Sequence, residues 1–231
     1  PLELDFSRAQ IISIIGTCGS GKSFLLRNMI YQFSKKNFFK FGCVFTGTSF
    51  NTDYEFMPEG SVHSDYSEAK LEKYISTLRT WLEMHPNEKL PPNFLILDDL
   101  LGRMKPNTNS FNSLVSTFRH FNMTIFITSQ YFVKNVSTLL RELTDVAFVF
   151  RTRFKNSMES LYNAYGQLLE NQDEFNQVLN IATKEPFSCL VYKARKEYKE
   201  ESYSSFQAPE TDIKFKLKFE NNNFIYNKTQ C

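Results

Sequence analysis

The stretch from Ile11 to Ser23, I-I-S-I-I-G-T-C-G-S-G-K-S, constrains the chain most tightly. Its first five residues, four of them Ile, read as a short strand buried on both faces. Gly16, Thr17, Cys18, Gly19, Ser20, Gly21, Lys22 and Ser23 then fit G-x-x-x-x-G-K-[ST], and a helix-like run follows from Phe24 to Phe33. Between a strand and a helix, such a loop is a phosphate-binding device. Its glycines let the backbone curl so that N–H groups face a triphosphate. The helix N-terminus adds partial positive charge. Lys22 is the candidate for the β- and γ-phosphates, and the Ser23 hydroxyl is the candidate for Mg²⁺.

A second stretch, Phe94-Leu95-Ile96-Leu97-Asp98-Asp99, is an apolar strand that ends in two acids. Carboxylates delivered at the carboxyl end of a buried strand suit a site there. Asp98 is placed to hold the Mg²⁺ shell, and Asp99 to orient or deprotonate an attacking water. The plain structural alternative is a strand ending in a solvated turn, where Asp is common. The loop at Gly16 favours the site. Asp99 is one methylene shorter than the Glu common at such a position.

Phe41–Gly47, Met123–Gln130 and Asp145–Phe150 are further buried strands. Helical runs separate them. Tyr66–His85 repeats apolar residues at Leu71, Tyr74, Ile75, Leu78 and Leu82, and Ser110–Phe121 does so at Phe111, Leu114, Val115 and Phe118. Strands alternating with helices predict βαβ units and a mostly parallel α/β sheet. Thr128 and Gln130, at the polar tip of one strand, are candidates to contact the γ-phosphate; a strand-end turn is the structural alternative. Leu2–Gln10 reads as a leading strand or arm, Asn51–Ser64 and Leu101–Asn109 as loops, and Tyr131–Leu143 as a short helix or ordered loop. Ser157–Tyr165 and Asp173–Ala182 read as helices, and Phe187–Tyr192 as a strand at the sheet edge. Residues 1–199 are expected to form the nucleotide-binding domain. Residues 200–231 form a polar C-terminal extension, an edge strand or partly ordered tail in which Ile213–Phe219 alternates like an amphipathic strand.

The 231 residues carry a formal charge of +2, so composition alone signals neither nucleic acid nor a membrane surface. No apolar run reaches membrane-spanning length and no signal peptide is expected. Cys18, Cys43, Cys189 and Cys231 are scattered, with no C-x-x-C pair, which supports neither a zinc site nor a disulfide framework. Reduced thiols fit an intracellular protein.

No N-K-x-D follows the loop, so guanine recognition is unsupported. A helix and a strand ending in T-S-Q lie beyond Asp98, which suits P-loop proteins with an extra strand between the Gly16 and Asp98 strands. In order and spacing, G-T-C-G-S-G-K-S, F-L-I-L-D-D, I-F-I-T-S-Q and L-L-R-E-L-T-D-V-A-F-V-F resemble the genome-packaging ATPases of large DNA viruses and virophages. These are the poxvirus-type members of the FtsK–HerA superfamily. The likeness covers about Gln10 to Arg153.

The resemblance implies a three-layer P-loop sandwich and a homo-oligomeric ring, pentamer or hexamer, using ATP and Mg²⁺. It implies sequence-independent pumping of double-stranded DNA into a capsid vertex, in the host cytoplasm or the virion. Such rings take a cation from the neighbouring subunit to stabilise transferred phosphoryl charge. Arg141 is the first candidate; an ordinary helix-end Arg is the alternative. Arg151 and Arg153 come second, against a solvated basic turn. Arg103 and Lys105, or Lys35, Lys36 and Lys40, are candidates for DNA phosphates, against scattered surface cations. Two other functions fit the loop. One is a nucleoside or nucleotide kinase, with Arg151 and Arg153 in a lid. The other is a nucleotide-gated assembly protein without turnover, against which the Asp98–Asp99 pair argues.

Overall fold

Strands made mostly of apolar residues must be covered on both faces, and that requirement organises the molecule. The computed structural model describes residues 8–47, 52–64, 66–100, 109–130, 138–209 and 214–219. Strand β1 (Ile11–Ile15) is buried at every position, and so are β2 (Phe41–Thr46), β4 (Asn93–Asp98), β5 (Met123–Ser129) and β6 (Val146–Phe150). The short β3 (Val62–His63), with β7 (Ser188–Lys193) and β8 (Tyr203–Gln207), completes a sheet of order β3-β2-β4-β5-β1-β6-β7-β8. Pairing is parallel from β3 through β6 and antiparallel at β7 and β8. β5 pairs with β1 on one side and with β4 on the other, so the extra strand lies where the sequence order predicts it.

Alternate residues of each strand feed two apolar layers. Ile12 and Ile14 join a cluster with Leu25, Leu26, Met29, Ile30 and Phe33 of α1 (Lys22–Lys35). Ile11 and Ile15 face the other side. There they pack in a cluster with α2 (Glu68–Met84), α3 (Asn109–Thr117), α4 (Thr138–Leu143), α5 (Lys155–Tyr165) and α6 (Gln172–Ala182). Helix starts follow their caps. Ser67 accepts from the Lys70 N–H ahead of α2, and Asn171 accepts from the Glu174 N–H ahead of α6. α1 differs: Gly21 precedes it at φ 102° with no side-chain cap and no acid in the first turn. Its first N–H groups are therefore directed at the loop.

Several expectations need correction. Asn51–Ser64, read as loop, contains a 3₁₀ turn (Thr52–Tyr54) and β3. A two-residue strand is too short to show a period. Phe187–Tyr192, read as the sheet edge, is covered by β8 through pairs such as Cys189 with Phe206. β8 lies within residues 200–231, read as a polar extension with an edge strand or partly ordered tail, and follows the short helix α7 (Lys199–Ser202). Lys214–Phe219 is irregular chain, not a strand, yet its alternation is real. Phe215, Leu217 and Phe219 pack on the α1-side cluster while Lys214, Lys216 and Lys218 stay exposed. The Leu217 N–H donates to the Phe56 carbonyl at 2.8 Å, and Phe215 stacks on Phe56 at 4.8 Å. Residues 2–7, 101–108 and 131–137, with Arg103 and Lys105, lie outside the described residues.

Candidate nucleotide site

The loop after β1 turns tightly because its glycines allow it. A Cβ on Gly16 would stand 2.6 Å from both Phe150 Cβ and Ser20 Oγ, so any side chain there forces a shift. Gly19 and Gly21 take φ of 73° and 102°, the left-handed region that glycine enters freely. The Leu25 N–H bonds the Gly21 carbonyl at 2.9 Å, which seats the loop directly on α1. The Lys22 ammonium donates to the carbonyls of Gly16 (2.8 Å) and Thr17 (2.9 Å), across the loop it serves. Burial lowers its pKa from the ordinary lysine value. The negative charges of Asp99 and Asp98 oppose that shift, with Asp99 the stronger.

Asp98 sits on one rung shared by three strands, opposite Thr46 of β2 and Thr128 of β5. Only 8% exposed, it would be costly if unpartnered. The Thr46 hydroxyl donates to its Oδ2 at 3.1 Å and the Thr128 hydroxyl donates to its Oδ1. Tyr54 also bonds it, and burial, followed by the Asp98 charge, pushes the Tyr54 phenol well above its usual pKa. Asp99 follows at φ 52°, a conformation that Asp tolerates better than most side chains. Its N–H reaches both the carbonyl (3.2 Å) and the hydroxyl (3.1 Å) of Thr128. Gln130 Nε2 donates to Asp99 Oδ2 at 2.7 Å.

The structure thus brings Lys22, Asp98, Asp99 and Gln130 together and gives Thr128 a different task. Its hydroxyl is buried and joins the two acids, so it is committed to them and not to a phosphate. Ser23 is exposed in the first turn of α1. Ser23 and Asp98 offer oxygen donors, which suit Mg²⁺ held largely by phosphate and water. Among the described residues no group of three or more His, Cys, Asp or Glu could hold a metal unaided.

A cleft of about 540 Å³ opens beside the loop, within the range of small-molecule sites. Thr17, Cys18, Gly19 and Ser20 form one wall. The segment after β6 and the turn before β7 form the other, with Phe154 58% and Phe187 54% exposed. Phe187 is held at φ 61°, and its ring lies 3.3 Å from where a Gly21 Cβ would stand. Exposed rings at such a mouth can stack a base. Arg151 and Arg153 line this same cleft, in the subunit that carries the loop.

Arg141 stands apart from this cleft. It is half-buried in the last turn of α4, near Tyr165, whose phenol is raised by burial and partly restored by the Arg141 charge. Lys35 lies over the Tyr31 ring at 4.4 Å, at the far end of α1 from the loop. Cys18, Cys43 and Cys189 are free thiols. No helix among the described residues is long and apolar enough to cross a membrane.

Sequence reasoning missed Thr46 and Tyr54 on Asp98, and Phe154 and Phe187 at the cleft. The first two are set by strand register and by a turn with no motif. For Phe187 a faint signal existed, an aromatic after Pro186 ahead of a strand.

Four likenesses bear on this arrangement. Residues 5–185 match the family described as Poxvirus A32 protein. An uncharacterized protein, 088R, of Invertebrate iridescent virus 3 is 26% identical over 188 residues, 78% of this chain and 68% of that one. The fold is similar to the genome packaging NTPase B204 from Sulfolobus turreted icosahedral virus 2, solved with ATP-gammaS. That match has a TM-score of 0.65 and 14% identity, and covers 89% of this chain and 100% of that one. It is also similar to the cytoplasmic domain of the Thermomonospora curvata Type VII secretion ATPase EccC. There the TM-score is 0.66 at 16% identity, over all of this chain and 30% of that one. These matches show that the eight-stranded, mostly parallel α/β sheet is the fold these two proteins share. With its family match spanning the loop, the acid pair and the Gln130 strand, the chain belongs to the poxvirus A32 protein family.

Proposed function

We propose that this chain is a Mg²⁺-dependent ATPase subunit of a viral genome-packaging motor, which drives double-stranded DNA into a capsid. The observation that carries the reading is the joining of Asp99 to both Thr128 and Gln130, beside Lys22. A protein that merely binds nucleotide has no need of a carboxylate fixed in this way. Membership of the family and the fold shared with B204, a genome packaging NTPase, support the same reading.

In this account N–H groups of the loop beyond Gly16, whose own N–H is held by the Ser129 carbonyl, and the Lys22 ammonium bind the phosphates. Lys22 exchanges its carbonyl partners for phosphate oxygens. Asp99 takes a proton from water as the water oxygen bonds to the γ-phosphorus and the bond to the β–γ bridging oxygen breaks, giving ADP and phosphate. Gln130 orients Asp99 and reaches the γ-phosphate. Ser23 and Asp98 hold Mg²⁺, which supplies charge neutralisation to the phosphates. Arg141 acts in the site of the neighbouring subunit of a ring, because it stands outside its own subunit's cleft. Arg151 and Arg153, which line that cleft, serve their own site. The motor works in the cytoplasm of the infected cell or in the virion, at a capsid vertex.

Release of inorganic phosphate from ATP, with and without duplex DNA, tests the reading. Stimulation by DNA and loss of turnover in Lys22→Ala are expected. Transfer of the γ-phosphate to a nucleoside acceptor instead would show a kinase.

A further inference from the structure

Parallel strands give the sheet two unlike edges. The loop, Asp98 and Asp99 occupy the carboxyl ends. At the opposite edge a second cleft is lined by Arg8, Lys89, Arg119, His120 and Arg195. Their places follow the sheet. Arg8 precedes β1, Lys89 precedes β4, Arg119 and His120 precede β5, and Arg195 follows the antiparallel β7. Lys40 stands just before β2, the next strand along. From β2 to β7 the edge crosses six strands, roughly 24 Å at the usual strand spacing. That length is comparable to the width of a duplex.

A buried carboxylate organises two of these cations. Asp145, whose side chain is only 3% exposed, bonds the Ile11 N–H at 3.0 Å and Arg195 Nε at 2.7 Å, with Arg119 at 3.7 Å. Asp145 fixes Arg195 and steadies Arg119, and both stay about half exposed, at 46% and 48%. Arg119 also lies over the Phe118 ring at 4.8 Å. Guanidinium groups held in place yet open to water suit phosphate oxygens.

We propose that this basic edge, centred on Lys89, Arg119 and Arg195, grips the phosphate backbone of duplex DNA. The proposal rests on the packaging-motor reading above and adds to it a place of contact separate from the nucleotide site. The open cleft and the row of cations along successive strand ends favour a polymer over a small anion.

The test compares wild type with Lys89→Glu, Arg119→Glu and Arg119→Lys, all at exposed positions. Fluorescence anisotropy of a labelled random-sequence duplex is followed across a salt series. Each charge reversal should weaken binding about tenfold or more and flatten the log–log salt slope by about 0.9 for each phosphate the protein no longer neutralises. Arg119→Lys should lie between. Hydrolysis of ATP without DNA should be unchanged and its stimulation by DNA should fall. If wild type binds DNA and is stimulated by it while the reversals behave identically, DNA is held elsewhere and the proposal is overturned with the motor intact. If wild type hydrolyses ATP but neither binds DNA nor responds to it, the motor reading fails. Saturable binding of inorganic phosphate at fixed ionic strength, abolished in the reversals while DNA affinity is unchanged, would assign the cleft to a small anion and overturn the proposal.

Discussion

The carboxamide of Gln130 donates from Nε2 to Oδ2 of Asp99 at 2.7 Å, across the adjacent ends of β5 and β4. In the proposed mechanism the residue assigned to the γ-phosphate is therefore also the one that aims the base. Replacing Asp99 with Asn keeps a side chain that tolerates φ 52° and removes the base. ATP affinity and melting temperature should hold while kcat falls roughly 10²–10⁴-fold. Nucleotide titration alongside steady-state rates checks this.

Gln130→Glu sets a second carboxylate against Asp99. Like charge raises a carboxyl pKa, so the acid limb of the pH–rate profile should move to higher pH. Gln130→Ala should lower kcat without that displacement. Profiles of the two variants separate orientation from electrostatics.

Thr46 and Thr128 hold Asp98 from either side. Their replacement by Val removes the donors at nearly constant volume. Partners that orient a metal-binding carboxylate typically contribute 10–100-fold in metal affinity. The Mg²⁺ concentration for half-maximal hydrolysis should rise by about that factor in either variant. Thr128→Val should be worse, because its hydroxyl also accepts from the Asp99 N–H.

Mixing separates a shared site from a self-contained one. Arg141→Ala should cost roughly 10³-fold if its guanidinium stabilises the neighbour's transferred phosphoryl group. Inactive Lys22→Ala subunits retain Arg141, and Arg141→Ala subunits retain an intact loop. Together they should recover activity that neither shows alone. Absence of recovery, with mixed assembly verified, would leave Arg141 as a packing residue beside Tyr165.

The C-terminal segment has a purely structural role in this account. Phe215 stacks on Phe56 and lies 5.2 Å from the Tyr31 ring. Phe215→Ala should destabilise by about 1–3 kcal/mol, with turnover per folded molecule unchanged. Denaturant melts and phosphate release at low temperature check both.

The parallel core was legible because strands covered on both faces read as near-continuous apolar runs, as I-I-S-I-I and F-L-I-L-D show. The phosphate loop was legible because its glycines are irreplaceable: at Gly16 even a methyl group meets Phe150 and Ser20 at 2.6 Å. β8, Y-S-S-F-Q, was hidden because an edge strand is half solvated and carries no continuous apolar run. The supports of Asp98 were hidden for another reason. Thr46 and Thr128 lie 52 and 30 residues from it, and only strand register makes them neighbours. The basic edge escaped notice likewise, since Arg8, Lys89, Arg119 and Arg195 are scattered along the chain and gathered by topology.

ATP hydrolysis against protein concentration, with and without duplex DNA, tests the central claim most directly when run on wild type and Asp99→Asn together. The account predicts specific activity that rises with concentration as subunits complete one another's sites, increases further with DNA, and is lost in the variant. Turnover independent of both concentration and DNA, or retained in Asp99→Asn, would contradict it.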